Sequence, residues 1–221
     1  MRAGIAARVA WMGVLGAVYI AFWIWYGGNA PPLSSTEAAS LLNQIEASRL
    51  VTQSDRSLEF RRNVEALVAD DDGREFVMVN LETMKRGATA EAADQAYARA
   101  VVPALLKRGS FPIYLGRRNG LLLGSREAAV DRVGLVRYRS LRDLLLMNLD
   151  PRMAKGVPHK FASLDHTEVF PTKPIISAAQ VRLTVGVLLV GVAVVGLRGL
   201  DWWAGRGRRQ HQSKKEAKNV P

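Results

Sequence analysis

The chain has 221 residues and no cysteine, which excludes disulfides and every metal or redox site built on cysteine. A hydrophobic fraction of 48% and a formal net charge of +11 suit one modest domain with appendages. We therefore expect a single small core. The positions of the basic residues along the chain, given below, indicate what their excess means.

The first predicted element is an uncharged apolar run at residues 9–26, VAWMGVLGAVYIAFWIWY. A helix of this length is about long enough to cross a hydrocarbon core of roughly 30 Å. A cleaved signal peptide is the alternative, because Arg2 and Arg8 provide a basic start. The run is longer than the usual signal core of about 7 to 15 residues and ends in bulky aromatics. Both features favour an uncleaved transmembrane anchor at residues 1–27.

Residues 28–73 are predicted to form a linker and lead-in helices. The segment GGNAPPLSS, at residues 27–35, is rich in helix breakers. Ser35 or Thr36 can cap a first helix, and apolar residues then recur at helical spacing there and at residues 58–68. An Asp-Asp-Asp-Gly turn ends this stretch. We expect the lead-in to brace the domain near the membrane.

Residues 74–174 show the patterns of a mixed helix and sheet domain. The predicted elements are strand 75–83, helix 90–108 with a kink at Pro103, strand 111–116, sheet segments 121–123 and 132–138, a helix capped by Ser140 and stopped at Asp150-Pro151, a helical turn at 159–164 and strand 167–170. This order predicts an α+β fold, the ferredoxin-like βαββαβ domain, with helices on one face of an antiparallel sheet. The uncovered face commonly closes on a second copy, so a homodimer is expected.

A second apolar run, residues 183–197, becomes a full transmembrane helix when residues 175–200 are taken together. Arg182 would then lie about one turn inside the apolar edge, from where its guanidinium can reach the headgroups. The domain is thus predicted to be flanked by two transmembrane helices. A basic tail, residues 201–221, follows the second one.

The charges predict the orientation in the membrane. The two short ends carry +8 of the net +11, while the long middle segment carries +3. By the positive-inside rule we expect an inner (plasma) membrane protein with both termini cytoplasmic and the central domain extracytoplasmic. A basic tail beside a span is typical of contact with anionic membrane lipid. Nucleic-acid binding is the alternative, and it is not expected because no aromatic-basic groove or recognised motif accompanies the tail.

Four segments of the middle region resemble a known family in order and spacing. They are FVMVNLETM, AYARAVVPALLKRGSFPIYLG, DRVGLVRYRSLRDLLLMNLDPRM and PHKFASLDHTEVFPTKP. Together they resemble an uncharacterised branch of the dimeric α/β-barrel superfamily, whose broader relatives include EthD-like and antibiotic-biosynthesis-type monooxygenase proteins. The resemblance covers residues 75 to about 174 and implies a scaffold without an assigned reaction.

The chain departs from the family pattern at four places. It has Gly109-Ser110 for a Gly-Gly turn, Val130-Asp131 for Trp-Asp, Tyr138-Arg139-Ser140 for a Tyr-Pro-Ser-like turn, and His159-Lys160 for His-Arg. A ligand pocket tuned by those groups would be altered here.

The candidate catalytic residues are His159 and Asn80. An imidazole titrates near neutrality, which makes His159 the best general acid or base. Asn80 lies at the end of a strand, where its amide could orient a ligand carbonyl. The structural alternatives are a capping or packing histidine and a satisfied asparagine. His159 and His166 have no spacing that places them on one face with a carboxylate, so no metal is expected.

Four further residues are candidate ligand-binding groups. They are Tyr97, Tyr114, Arg137 and Tyr138. Phenols and a guanidinium donate hydrogen bonds to an oxygenated aromatic ligand. The alternative is that the tyrosines pack and that Arg137 is solvated. No nucleophile elbow, P-loop or GxGxxG occurs, so no cofactor is expected and the hydrolase, kinase and dinucleotide classes are disfavoured.

Two functions remain as hypotheses. The first is a membrane-anchored homodimeric binding or assembly module of unknown ligand, with lipid and a membrane-protein partner. Gly186, Gly191 and Gly196 could let its helices approach each other. The alternative is a small-molecule enzyme of cofactor-free monooxygenase or isomerase type that uses His159 as acid or base. A closed apolar cavity holding His159 and Asn80 would favour the enzyme, and a side-chain-filled barrel the module.

Overall fold

The computed structural model describes residues 2–48, 55–123, 130–175 and 181–218, with the backbone alone for residues 2–4, 55–57 and 204–218. These ranges contain seven helices and one four-stranded antiparallel sheet. The chain divides into two compact units. One combines Met1–Trp25 with Ile176–Pro221, and the other is Tyr26–Ile175.

The first unit consists of two apolar helices, α1 at Arg2–Tyr26 and α7 at Val181–Lys218. Their segments Ile5–Tyr26 and Val181–Trp203 are long and apolar enough to cross a membrane, judged by length and composition. A helix satisfies the backbone hydrogen bonds of such a segment internally, as a hydrocarbon environment requires. The prediction of two apolar helices is confirmed.

Small residues bring α7 against aromatic side chains of α1. A Cβ added to Gly196 would lie 2.5 Å from the indole nitrogen of Trp11, and one added to Gly186 would lie 3.7 Å from the hydroxyl of Tyr19. No described residue comes within 4 Å of a Cβ placed on Gly191. Because higher numbers on α7 meet lower numbers on α1, the two helices run antiparallel. Two of the three predicted glycines therefore lie at the helix contact.

The ends of α7 differ from the sequence prediction. Residues 176–180, predicted as part of the second span, lie outside the described residues. Arg182 is in the first turn of the helix, with its guanidinium 4.6 Å from the ring centre of Trp23. The helical backbone continues to Lys218, so the segment predicted as a tail is helical over most of its length.

The second unit holds the sheet and the remaining helices. In chain order they are α2 Ser35–Ala47, α3 Asp55–Ala69, β1 Phe76–Met84, α4 Ala88–Leu106, β2 Phe111–Arg117, β3 Arg132–Tyr138, α5 Leu141–Asn148, α6 Pro151–Ser163 and β4 Leu164–Thr172. The strands lie in the order β2-β3-β1-β4, and each neighbouring pair is antiparallel. A mixed α+β architecture is confirmed.

Local sequence signals explain where these helices begin. Ser34 caps α2, one residue before the predicted position, by accepting a bond from the Glu37 backbone N–H at 3.2 Å. Ser140 caps α5 as predicted, accepting from the Asp143 N–H at 3.1 Å. α5 ends at Asn148, before Asp150-Pro151, as predicted. The same dipeptide also starts α6, which was not predicted, because Asp150 caps it and proline suits the first helical position.

Two segments of the predicted sheet are wrong in detail. Residues 121–123 form no strand, and β3 pairs with β1 and β2 instead. The last strand is longer than predicted, since β4 runs through Pro171. Proline is tolerated there because β4 is an edge strand, and a missing N–H in an edge strand does not break the hydrogen bonds between two inner strands.

The sheet has two faces of different character, defined here by alternating residues of its strands. The helix face carries Phe76, Met78, Asn80, Glu82, Arg132, Gly134, Val136, Tyr138 and Thr167. The open face carries Val77, Val79, Leu81, Val133, Leu135, Arg137, Phe170 and Thr172, with Phe111 and Tyr114 of β2.

The hydrophobic core lies on the helix face. Phe76, Met78 and Tyr138 pack there with helix residues such as Leu145 and Ala104, which are completely buried. The lead-in helices α2 and α3 add to the same core through Leu41, Leu42, Ile45, Val64 and Val68. The lead-in and the sheet therefore share one apolar interior within the second unit.

Candidate functional site

Polar side chains continue the helix face of β1 beyond its apolar half. Phe76 and Met78 lie in the core, whereas Asn80 and Glu82, the next residues of the same alternation, are polar. Neighbouring strands and helices add further polar groups around them. We name this group the Lys160 cluster, and its members are Asn80, Glu82, Asp94, Tyr97, Arg132, Lys160 and Thr167.

An ion network forms the base of the Lys160 cluster. Arg132 of β3 donates from Nε to Glu82 at 2.7 Å and from both terminal nitrogens to Asp94 of α4 at 2.8 Å. Glu82 is only 5% exposed. The hydrogen bonds that Arg132 donates to Asp94 and then to Glu82 raise its pKa, so this guanidinium stays charged. The network ties β1, β3 and α4 together.

Lys160 reaches the cluster from α6. Its Nζ lies 3.4 Å from Oδ1 of Asn80 and 5.7 Å from the ring centre of Tyr97. Burial lowers the pKa of the Lys160 amine; Glu82 opposes this shift and Arg132 reinforces it. The amine is thus more easily deprotonated than an exposed lysine.

Two hydroxyl groups complete the cluster. Burial, followed by the charge of Glu82, raises the pKa of Tyr97, so its phenol remains a hydrogen-bond donor at neutral pH. Thr167 pairs with Glu82 across β1 and β4, and its Oγ1 is buried with no hydrogen-bond partner among the described residues. A buried hydroxyl without a partner calls for an explanation such as a ligand or water.

The structure separates the two predicted catalytic residues. His159 lies on the exposed side of α6, while Asn80 lies on the helix face and contacts Lys160. Successive residues of a helix point about 100° apart, so only one residue of the His159-Lys160 pair can face the sheet. That residue is the lysine. His159 and Asn80 do not form one site.

The four predicted ligand-binding residues divide between the two faces. Tyr97 belongs to the Lys160 cluster. Tyr138 is a core residue on the same face, stacked on Phe76 with ring centres 5.4 Å apart, and burial raises the pKa of its phenol. Arg137 and Tyr114 lie on the open face, so the four do not line one pocket.

Arg137 is 4% exposed despite its place on the open face. It donates to the carboxylate of Glu75 and, at 2.6 Å, to the carbonyl of Gly109. Its guanidinium lies 3.7 Å from the ring centre of Tyr26 and 5.6 Å from that of Phe111. The prediction that Arg137 could be a solvated strand position is wrong. Tyr114, by contrast, is 56% exposed.

Sequence reasoning missed most members of the Lys160 cluster. The β1 alternation could have revealed Glu82, because it shares a face with Asn80. Arg132, Asp94 and Thr167 come from separate elements, and only the packing brings them together. Among the described residues, no group of three His, Asp or Glu side chains could hold a metal ion.

A separate apolar groove lies in the first unit. Its volume is 490 Å³, and it is lined by Ala7, Ala10, Trp11, Val14, Gly196, Gly199 and Leu200. The lining offers no acid, base or charged group. The groove therefore provides surface for apolar contact and no chemistry.

Comparison with known proteins gives a likeness in structure alone. No family model matches the chain. No curated protein matches it either. A methylated form of the RPA0582 protein is similar with a TM-score of 0.48 and 22% identity, over 58% of this chain and 96% of that one. A second crystal structure, of the RPA0582 protein of unknown function from Rhodopseudomonas palustris, gives 0.48 and 23% over 58% and 98%.

Proposed function

We propose that the chain is a membrane-anchored homodimeric binding or assembly module with a ferredoxin-like domain. The element order, one α6 helix aside, is βαββαβ, and the strand order β2-β3-β1-β4 supports this topology. The resemblance to dimeric α/β-barrel proteins supports the same proposal. The observation that carries it is the open face of the sheet.

The centre of the open face is apolar and half-exposed. It comprises Val77, Val79, Leu81, Val133 and Leu135. Phe170, at 38% exposed, and Tyr114 lie toward its two edges. Contiguous apolar surface of this kind marks an interaction site, and aromatic residues are enriched in such sites.

A second copy is the occupant that we propose for this face. In a two-fold symmetric dimer the same surface patch of both copies forms the interface. The apolar residues of one open face would therefore pack against the apolar residues of the other. The polar residues Glu168 and His166 lie on the edge strand β4, beside Leu81 and Thr83, where a border would remain in water. The resulting arrangement places apolar residues at the centre of the interface and polar residues at its border.

The apolar helices support the membrane part of the proposal. Besides the glycine contacts, Arg8 of α1 forms an ion pair with Asp201 of α7, at the end that carries the basic residues. Arg182 lies at the other end beside Trp23, as expected for a residue at an interface. We propose that both termini are cytoplasmic in the inner (plasma) membrane and that the central domain is extracytoplasmic. Lipid and a membrane-protein partner would be its contacts.

The oligomeric state tests the proposal directly. The full chain is purified in detergent, and its mass is measured in the wild type, in Leu135→Lys and in Leu58→Lys. Leu58 is 62% exposed on α3, away from the sheet, and serves as the matched control. We expect dimers for the wild type and the control and monomers for Leu135→Lys, because a buried unpaired ammonium opposes association. A monomeric wild type would refute the homodimer.

Membrane orientation is tested with reporters. Fusions before Met1 and after Pro221 should report the cytoplasm, and an insertion in the turn at residues 70–73 should report the opposite side. A cytoplasmic signal from the inserted reporter would reverse the proposed orientation.

A second candidate function is a small-molecule enzyme of cofactor-free monooxygenase or isomerase type. The observation that favours it is the contact of Lys160 with Asn80, on the same sheet face as a Thr167 hydroxyl that lacks a partner in the described part of the chain. In this proposal Lys160 replaces the exposed His159 as the proton-accepting group.

We expect His159→Ala to leave the melting temperature unchanged, since substitutions at exposed positions change the free energy of unfolding by no more than about 0.5 kcal/mol. A clear loss of stability would show that the imidazole is structural.

A further inference from the structure

Lys160 is a partly buried cation without a carboxylate partner. Among the described residues it forms no ion pair, because Arg132 already binds the nearby carboxylates of Glu82 and Asp94. Its protein contact is one long hydrogen bond to Asn80, although an ammonium offers three donors. Lysine is rarely buried unless it is paired. Burial at this position lowers the pKa of the amine and so enlarges its neutral fraction, and the neutral amine is a nucleophile.

The groups around Lys160 suit a small carbonyl compound. Asn80 Oδ1 accepts a hydrogen bond from the Lys160 amine. This bond can hold the lone pair of the amine nitrogen in a fixed direction. Thr167 has a buried hydroxyl that forms no hydrogen bond with any described residue, and it lies on the same face of the sheet. The Tyr97 ring covers the amine at 5.7 Å and provides an apolar wall with a phenol that stays protonated.

We propose that Lys160 forms an imine with a small aldehyde or ketone. The Nζ lone pair attacks the carbonyl carbon, and a C–N bond forms. Both protons of the neutral amine pass to the carbonyl oxygen, the C–O bond breaks as the C=N bond forms, and the oxygen leaves as water. Nothing is oxidised or reduced, so the step needs no cofactor. This assignment is independent of the homodimer, whose test measures mass and not reactivity.

Reductive trapping tests the proposal in the full chain. The detergent-solubilised protein is treated with propanal and cyanoborohydride at pH 7, which reduces an imine to a stable propyl-lysine. Peptide mass analysis then gives the labelling rate of each lysine. Lys155 is the matched control, because it lies on the exposed side of the same helix.

Selective labelling of Lys160 is the expected result. We expect its rate at pH 7 to exceed that of Lys155 by about tenfold, since a lowered pKa enlarges the neutral fraction of the amine. In guanidinium chloride the two rates should become equal. A rate at or below that of Lys155 in the folded protein overturns the proposal, and so does selectivity that persists after unfolding.

Two variants distinguish a built site from an exposed amine. Thr167→Val removes the unpartnered hydroxyl without changing side-chain shape and should lower the Lys160 labelling rate severalfold while Lys155 is unaffected. Lys160→Arg should abolish labelling of this peptide with the dimer mass unchanged. If Thr167→Val labels as fast as the wild type although its melting temperature is retained, Thr167 has no part in the site and the carbonyl-binding arrangement is overturned.

Discussion

The two faces of the sheet bury an arginine in different ways. Arg132 and Arg137 belong to the same strand, five positions apart, and therefore point to opposite faces. Arg132 is held by two carboxylates, Glu82 and Asp94, inside the helix face. Arg137 has a single carboxylate, one backbone carbonyl and two aromatic rings around it.

This difference shows what each face is suited for. On the helix face the chain itself satisfies a charged group, and the surrounding apolar residues are already buried. On the open face the charged group is covered at one end, and the apolar centre remains partly in water. Burying that centre would gain free energy in proportion to its area. The apolar core of the helix face is thus complete within one copy, whereas the open face is suited to association.

The largest effect is expected from Arg132→Met. It leaves Glu82, which is 5% exposed, as a buried charge without its partner. Breaking such a pair costs about 3 to 5 kcal/mol. Arg86→Met is the control, because its side chain is 86% exposed and its pairing with Asp131 should contribute little. Chemical denaturation measures both, and equal stabilities would show that the network is not needed for folding.

A neighbouring pair on β1 compares the two faces directly. Met78→Thr removes core volume and buries a hydroxyl, so we expect a loss of about 2 to 4 kcal/mol. Val79→Thr lies on the open face and should cost less than about 1 kcal/mol within one copy. Val79→Thr should in addition weaken the dimer, which is seen as dissociation on dilution. Equal losses of stability would mean that the open face is covered within the single chain.

Arg137→Lys should have an intermediate effect. Lysine keeps the charge but loses the planar guanidinium that contacts Glu75 and Gly109 and lies over Tyr26. We expect a loss of about 1 to 3 kcal/mol in chemical denaturation. Arg117→Lys, on an exposed position of β2, is the control and should change nothing. If Arg137→Lys leaves the stability unchanged, the position contributes only its positive charge and the planar guanidinium is not needed.

Much of the architecture could be predicted from local patterns. The two apolar runs, the alternation at β1 and the serine cap at residue 140 are properties of adjacent residues, and each reappears in the structure. The start of α6 was missed because Asp150-Pro151 ends one helix and begins another, which the dipeptide alone does not distinguish.

The candidate site was less predictable because it depends on contacts distant in sequence. Arg132 and Glu82 are 50 residues apart, and Lys160 and Asn80 are 80 apart. His159 was predicted because imidazole is a common acid or base. In the structure the next residue of the helix, Lys160, faces the sheet instead, since successive helix residues point about 100° apart. Alternation along β1 puts Asn80 on the same face as Met78, but its contact with Lys160 of α6 could not be predicted from the strand.

The smallest effect is expected from Lys160→Met, and its sign depends on pH. Because burial lowers the pKa of the folded amine below the ordinary value of 10.5, the unfolded chain binds this proton more tightly. The protonated amine therefore opposes folding at pH 7, and this penalty disappears as the pH rises toward 10.5. We expect Lys160→Met to melt at a higher temperature than the wild type at pH 7, with a difference that narrows by pH 10.5. Lys155→Met, on the exposed side of α6, should match the wild type at both values. A lower melting temperature for Lys160→Met at pH 7 would mean that attraction to Glu82 outweighs burial, and the helix face would then hold a balanced set of charges with no reactive amine.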